Sequence, residues 1–221
     1  MTRVKICGIT LEEDIWMAVA LGVDFIGLNF VPSSPRCLTA EQGARLVQAA
    51  RAAARSSGAA SPELVGVFLA EQLAEAVSLA GELGLDLLQL HGMDATTRTP
   101  SGIRVVRAWR SAPGQVPDVV GNPAWAHLLD GYDPQKLGGT GRRCDWRLAS
   151  VLAQRCRLFL AGGLNPWNVG DAIRQVSPFA VDVASGVERT PGVKDHFLLR
   201  AFIQAVKEAD REYTGNFEGK A

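Results

Sequence analysis

The feature that most constrains this chain is the alternation of eight short apolar runs with helical stretches. The apolar runs, predicted to be strands, lie at residues 4–7, 25–30, 64–68, 85–90, 103–108, 125–130, 158–161 and 179–183. Helices are predicted near 11–21, 40–55, 71–82, 145–154, 167–175 and 195–210, with short or irregular segments near 93–99 and 115–121. Because strands that alternate with helices pair in parallel, the pattern predicts a parallel sheet with helices outside it.

The number of units and the chain length favour one architecture of this type. Eight βα units in 221 residues fit a single (β/α)8 TIM barrel, which typically takes about 250 residues. A doubly wound open sheet is the alternative that the same alternation allows. We expect the barrel to occupy residues 1–212, and we expect the polar stretch 213–221 to form a frayed C-terminal tail.

Charge and cysteine content argue against several classes of protein. The 23 basic and 23 acidic residues leave no net charge, which disfavours nucleic acid or an acidic membrane as a partner. The four cysteines have neither C-x-x-C nor zinc-finger spacing, so we expect no disulfide framework and no metal site. No run approaches the roughly 20 apolar residues of a membrane helix, and no signal-peptide pattern precedes the first strand. We expect a cytoplasmic protein.

Polar groups at the ends of the predicted strands are the candidates for chemistry, because the active site of a barrel lies at that edge. Cys7 ends the first strand, and the helix that follows can favour its thiolate; an ordinary apolar strand residue is the alternative. Asp130 ends the sixth strand after two leucines, where burial raises its pKa and suits it to donate a proton. The alternative is that Asp130 is a turn residue or a helix cap. Thr10 and Glu13 are predicted to cap the first helix.

Four further side chains are expected at the same opening of the barrel. Arg36 lies in a proline-flanked loop after the second strand and can bind a carboxylate or a phosphate, although an isolated arginine is more often a surface group. Gln89 and His91 end the fourth strand. With no second ligand near it in sequence, His91 is interpreted as a structural or hydrogen-bonding residue. Asp182 lies inside the eighth strand, and the alternative to a role in the site is that its side chain accepts hydrogen bonds from backbone donors.

Glycine-rich turns follow the seventh and eighth strands. Gly162 and Gly163 lie in the first of these turns, and Ser185 and Gly186 lie in the second. Backbone N–H groups in these two loops form the phosphate site of many (β/α)8 barrels, because glycine lets the anion approach closely. Plain tight turns are the alternative interpretation.

The order of these motifs resembles the phosphoribosylanthranilate isomerase family of tryptophan biosynthesis. The matching stretches span residues 4 to 195 and comprise Val4-Lys5-Ile6-Cys7-Gly8-Ile9-Thr10, Ser34-Pro35-Arg36, Gln89-Leu90-His91-Gly92, Gly138-Gly139-Thr140-Gly141 with Asp145-Trp146, Leu160-Ala161-Gly162-Gly163-Leu164 with Asn168-Val169, Val181-Asp182-Val183, Ser185-Gly186-Val187-Glu188, Pro191-Gly192 and Lys194-Asp195. The resemblance implies a (β/α)8 barrel that performs an Amadori rearrangement of N-(5'-phosphoribosyl)anthranilate without a metal or organic cofactor.

The resemblance also implies a role for each candidate residue. Asp130 is the general acid that protonates the ribose ring oxygen, and Cys7 is the general base that removes the C2 proton. Arg36 faces the anthranilate side of the substrate. Gln89, His91 and Asp182 correspond to residues of the family's substrate pocket. The phosphate turns of the family correspond to Gly162, Gly163, Ser185 and Gly186.

Two other functions stay open from the sequence. The related histidine-pathway isomerase acts on another aminoaldose, but its pattern calls for an aspartate at the position of Cys7. A barrel kept as a non-enzymatic binding module is the second possibility, and the presence of Cys7, Asp130 and Arg36 argues against it. We expect a monomer or homodimer that binds a small phosphorylated substrate.

Overall fold

Eight parallel strands close into a barrel in sequence order. The computed structural model describes residues 1–58, 60–94, 97–110, 115–131 and 144–218, with the backbone alone for 213–218. The strands are β1 (Arg3–Cys7), β2 (Phe25–Asn29), β3 (Glu63–Leu69), β4 (Leu87–His91), β5 (Arg104–Arg110), β6 (Ala126–Asp130), β7 (Leu158–Leu160) and β8 (Ala180–Val183). Because β8 pairs with β1 and leaves no edge, the predicted barrel is confirmed and the open sheet is excluded.

Helices connect the strands on the outside of the barrel. They are α1 (Glu12–Leu21), α2 (Ala40–Ser57), α3 (Leu73–Leu83), α4 (Trp146–Ala153), α5 (Val169–Val176) and α6 (His196–Glu218). The described residues of 93–99 and 115–121 form turns and irregular backbone. Helix α6 extends into the predicted tail, and the fraying of 213–221 stays a prediction. None of the described helices has an apolar stretch long enough to cross a bilayer.

The local signals at helix starts are only partly those expected from the sequence. At α2, the Thr39 side chain accepts a hydrogen bond from the Gln42 N–H, and the Gln42 side chain accepts one from the Thr39 N–H, which completes a capping box. The predicted capping box of Thr10 and Glu13 is wrong, because α1 begins after Leu11 without a side-chain cap. The Thr10 hydroxyl instead donates to the carbonyl oxygen of Gly192 at 2.7 Å. A long-range partner has displaced the local one.

A short antiparallel hairpin follows β8 at the carboxyl edge of the barrel. A 3-10 turn (Ser185–Val187) leads into its two strands, β9 (Glu188–Thr190) and β10 (Val193–Lys194). The hairpin is joined to the end of β1, because the Lys194 ammonium donates to the Cys7 carbonyl oxygen at 2.6 Å. It therefore forms part of the wall around the strand ends.

Alternation along each strand places apolar side chains on the two faces of the sheet. One set fills the barrel interior and comprises Phe25, Val65, Leu87, Val106, Ala108, Ala126, Leu128, Phe159, Ala161 and Ala180. The other and larger set packs between the sheet and the helices. At the amino ends of the strands, the Arg3 guanidinium lies over the ring of Phe179 at 5.1 Å and the Arg104 guanidinium over that of Trp125 at 5.0 Å. These stacked side chains close that end, which leaves the carboxyl edge for a site.

Candidate active site

A pocket of about 540 Å³ opens at the carboxyl ends of the strands. Every residue predicted for the site lines it, namely Cys7, Arg36, Gln89, His91, Asp130, Gly162, Gly163, Asp182, Ser185 and Gly186. These residues are spread along the sequence from position 7 to position 186, and the closed barrel brings them to one opening. Their placement agrees with the expectation from the strand ends, and their roles are taken up under the proposed function.

Asp130 ends β6 as a mostly enclosed carboxyl group. Burial raises the pKa of Asp130 to about 6, although the hydrogen bond from the Gly131 N–H acts in the opposite direction. That N–H lies 2.8 Å from the Asp130 Oδ1 atom. A carboxyl group with a pKa this close to neutrality retains a proton in a sizeable fraction of molecules, which suits a general acid.

Cys7 ends β1 with its sulfur near the pocket floor, and it is 9% exposed. Burial raises the pKa of Cys7 above its ordinary value, and the nearby Lys5 and Lys194 ammonium groups only partly oppose this effect. The thiol is therefore protonated at rest. The influence of the following helix on the thiolate stays a prediction, and in the structure desolvation of the charged form outweighs the nearby positive charges.

Arg36 is held by a carboxylate that the sequence did not single out. Its Nε donates to Oε1 of Glu188 at 2.8 Å, and its terminal nitrogen donates to Oε2 at 2.6 Å. Lys194 donates to the same carboxylate at 2.7 Å. Although burial opposes the charge, Arg36 and Lys194 outweigh it and hold the pKa of Glu188 below its ordinary value. Arg36 is thus a buried, oriented guanidinium and not the surface group that was its alternative.

Gln89 and His91 form a pair on the pocket wall. The amide nitrogen of Gln89 lies 2.9 Å from Nε2 of His91, and with the amide as donor the ring proton is on Nδ1. Burial, together with Lys5 and Arg110, lowers the pKa of His91 to about 4, so the ring is neutral near pH 7. In the described part of the chain, the Gln89 Oε1 atom is buried without a hydrogen-bond partner. It is therefore an acceptor available to a ligand.

Asp182 pairs with a lysine inside the barrel. The Lys5 ammonium donates to Oδ1 of Asp182 at 2.9 Å, and Lys5 is fully buried. The interpretation of Asp182 as a partner for backbone donors is therefore replaced by a buried ion pair. Sequence reasoning assigned no role to Lys5, yet a lysine two residues before Cys7 in an apolar strand must point to the same side of the sheet as the thiol.

The glycine turns after β7 and β8 lie against each other. Gly162 and Gly163 have positive φ values of 85° and 65°, which favour glycine. A Cβ atom on Gly186 would lie 1.9 Å from the carbonyl oxygen of Leu164, so only glycine fits there. Within the described part of the chain, the N–H groups of Gly163 and Gly186 donate to no protein acceptor. The turns therefore offer backbone donors to an anion.

The geometry defines a class of protein before any comparison is made. A (β/α)8 barrel that gathers a carboxyl group of raised pKa, a thiol and two glycine turns around one pocket is equipped for acid–base chemistry on a phosphorylated molecule. Among the described residues, no three His, Cys, Asp or Glu side chains come together as a metal site.

The comparisons with known proteins identify the family within this class. The model of the N-(5'-phosphoribosyl)anthranilate (PRA) isomerase family matches residues 4–205. The chain belongs to this family. The N-(5'-phosphoribosyl)anthranilate isomerase of Chlorobium luteolum is 40% identical over 225 residues, which cover 95% of this chain and 99% of that protein.

Solved structures of the same family have the same fold. The phosphoribosyl anthranilate isomerase of Thermus thermophilus is similar to this chain with a TM-score of 0.80 and 33% identity, over 94% of this chain and 99% of that one. A second phosphoribosyl anthranilate isomerase was solved in complex with reduced 1-(o-carboxyphenylamino)-1-deoxyribulose 5-phosphate. It has a TM-score of 0.72 and 33% identity, over 94% and 100% of the two chains.

Proposed function

We propose that this chain isomerises N-(5'-phosphoribosyl)anthranilate to 1-(2-carboxyphenylamino)-1-deoxyribulose 5-phosphate in the biosynthesis of L-tryptophan. The observation that carries the proposal is the convergence of Asp130 and Cys7 on one pocket that is also lined by the paired glycine turns. Membership of the isomerase family supports the same reaction.

The first step uses Asp130 as a general acid. Its proton passes to the ribose ring oxygen as the bond between that oxygen and C1 breaks. The lone pair of the anthranilate nitrogen forms a double bond to C1, which gives a protonated Schiff base. Because the pKa of Asp130 is raised to about 6, its carboxyl group can supply this proton near neutral pH. General acid–base catalysis typically contributes about 10²–10⁴-fold.

The second step uses Cys7 as a general base. The thiolate removes the proton from C2, and the electrons of the C2–H bond form a double bond between C1 and C2. The π electrons of the C1–nitrogen double bond return to the nitrogen, which becomes neutral. The resulting enolamine then tautomerises to the ketone product. The reactive form of the site therefore carries its proton on Asp130 and its negative charge on Cys7.

Binding of the substrate is assigned to the other residues of the pocket. Arg36 uses two donor contacts on Glu188, which leaves further guanidinium N–H groups for the anthranilate carboxylate. The glycine turns offer backbone N–H groups to the 5'-phosphate. Gln89, whose Oε1 atom is a buried acceptor without a partner among the described residues, is assigned to a substrate hydroxyl group beside His91 and Asp182.

A fluorescence assay tests the proposed reaction. Purified protein is expected to remove the fluorescence of the anthranilate-linked substrate as product forms. The aminoaldose of the histidine-pathway isomerase, assayed in parallel, is the competing substrate. Turnover of that substrate alone would overturn the proposal, and tight product binding without turnover would identify a binding module.

The remaining expectations concern the working state of the chain. We propose that it acts as a monomer or homodimer in the cytoplasm, on a small phosphorylated substrate and without a cofactor. Light scattering of the purified protein at assay concentration distinguishes the monomer and dimer from larger assemblies.

A further inference from the structure

Lys5 is a fully buried ammonium group directly below the catalytic pocket. It lies opposite Asp182 in the β1–β8 register, and its Nζ atom is 2.9 Å from the Asp182 Oδ1 atom. Burial of an ion pair costs more free energy than burial of apolar side chains of the same size. Such a pair is therefore weak evidence for a purely stabilising role and calls for another explanation.

The neighbouring strand is shaped to bring this ammonium group close to the thiol. Gly27 pairs with Cys7 in the β1–β2 register. A Cβ atom on Gly27 would lie 2.8 Å from the Cys7 sulfur and 3.1 Å from the Lys5 Nζ atom. The sulfur and the ammonium group therefore share the space that the missing side chain leaves, and any larger residue in that place would displace one of them.

We propose that Lys5 is a positioning residue for the isomerisation, whose ammonium group, held by Asp182, is the counter-charge of the Cys7 thiolate during proton removal. The proposal rests on the proposed function, in which Cys7 is the base. Lys5 does not line the pocket, so it acts through Cys7 and not on the substrate.

The electrostatic surroundings of Cys7 are consistent with this role. Among the groups around the thiol, Lys5 provides the largest effect that lowers the pKa of Cys7 against the dominant effect of burial, and Lys194 provides a smaller one. Asp182 raises the pKa of the thiol. Arg36, from the loop after β2, also interacts with Cys7.

The test measures the thiolate of Cys7 without any substrate. The rate of alkylation by iodoacetamide follows the thiolate fraction, and mass spectrometry of the Cys7 peptide separates this site from the exposed Cys37. Removal of an opposite charge within about 4–6 Å raises a pKa by about 1–3 units. The smaller thiolate fraction lowers the alkylation rate, but part of this decrease is offset because a thiolate of higher pKa is more nucleophilic. Lys5→Met is therefore expected to slow alkylation at pH 7.5 at least about threefold.

Lys194→Met is the matched control, since Lys194 is also a fully buried lysine and contacts the Cys7 carbonyl oxygen and not the sulfur. It is expected to slow alkylation less than Lys5→Met does. In the isomerase assay, Lys5→Met is expected to lower kcat with little change in KM. An alkylation rate equal to that of the wild type in Lys5→Met would overturn the proposal.

A double variant separates this role from simple neutralisation of Asp182. Lys5→Met with Asp182→Asn removes both charges, so it also serves where the single variant fails to fold. We expect its alkylation rate to lie between those of Lys5→Met and the wild type, and full recovery would overturn the proposal. If the wild type shows the expected alkylation pattern but no isomerase activity, the proposed function fails and the coupling between Lys5 and Cys7 stands.

Discussion

At the scale of single residues, the proposed acid, Asp130, and the proposed base, Cys7, have pKa values in the reverse of the order that the proposed mechanism uses. The proposed mechanism needs Asp130 protonated and Cys7 ionised, whereas burial raises the pKa of Asp130 only to about 6 and raises that of Cys7 above its ordinary value. The two groups therefore share one proton over the neutral range, and the reactive arrangement is a minor one.

This sharing of one proton predicts the pH dependence of kcat/KM. Below about pH 6, both groups are protonated, so kcat/KM is expected to fall about tenfold per pH unit. From about pH 7 to the ordinary thiol pKa of about 8.5 it is expected to stay level, because the shared proton is retained. Inhibition by a product analogue over the same range corrects for titration of the substrate phosphate. A decline between pH 7 and 8.5 would contradict the assignment.

Asp130→Asn is expected to abolish most turnover and to stabilise the fold. The raised pKa means that the folded chain binds the Asp130 proton more tightly than the unfolded chain does. The wild type therefore loses stability as the pH rises from about 4 to 6, and asparagine does not. The gain in melting temperature should be larger at pH 8 than at pH 5. Cys7→Ala should lose turnover without this pH-dependent gain, and near-normal kcat in either variant would refute its role.

Arg36→Ala is expected to raise KM more than it lowers kcat. A hydrogen bond to a charged group contributes about 1.5–3 kcal/mol, so the expected rise in KM is about 10- to 100-fold. Steady-state kinetics give the two constants separately. A loss confined to kcat would assign Arg36 to the transition state instead.

At the scale of elements, the β9–β10 hairpin connects Arg36 to the end of β1. Glu188 holds both Arg36 and Lys194, and the Lys194 ammonium reaches the Cys7 carbonyl oxygen. Gly192, in the turn of the same hairpin, accepts a hydrogen bond from Thr10. The hairpin therefore fixes the relative position of the strand that carries Cys7 and the loop that carries Arg36.

Glu188→Gln is expected to weaken both the fold and substrate binding. Loss of the carboxylate leaves two buried cations without their counter-charge, a change that typically costs about 3–5 kcal/mol. Denaturant unfolding measures this loss, and KM should rise as in Arg36→Ala. Glu41→Gln is the matched control, because it breaks an exposed pair with Arg45 that is worth at most about 1 kcal/mol. Equal stability losses in the two variants would contradict the role of the hairpin.

The elements also show which parts of the molecule local sequence encodes. Strand ends are local features, so the sequence placed Cys7 and Asp130 at the correct edge. The partners of Lys5 and Arg36 could not be predicted, because they lie 177 and 152 residues away. For the same reason, the cap predicted at Thr10 failed, since its partner Gly192 is 182 residues away. The ionisation of Cys7 could not be predicted either, because it depends on burial inside a closed barrel.

At the scale of the whole molecule, the barrel is closed by the pairing of β1 with β8, and the pocket spans that closure. Cys7 belongs to β1, while Asp182 and the turn at Ser185 and Gly186 belong to β8 and its loop. A ligand that contacts both sides is therefore expected to stabilise the whole fold and not one loop, because it binds only where the two ends of the chain have met.

Thermal unfolding with reduced 1-(o-carboxyphenylamino)-1-deoxyribulose 5-phosphate tests this linkage between ligand and barrel. A ligand at 100 times its Kd adds about 2.7 kcal/mol to the free energy of unfolding, and each kcal/mol raises the melting temperature of a domain this size by about 2–4 °C. The expected rise is about 5–10 °C in a single transition.

Ribose, which lacks both anionic groups, is the control and should give no shift in melting temperature. Asp130→Asn should keep the full shift, because the proposed function assigns Asp130 to the chemistry and assigns the glycine turns and Arg36 to binding. A ligand-induced second transition would show that β1 and β8 are stabilised separately, and it would contradict a site that depends on closure of the barrel.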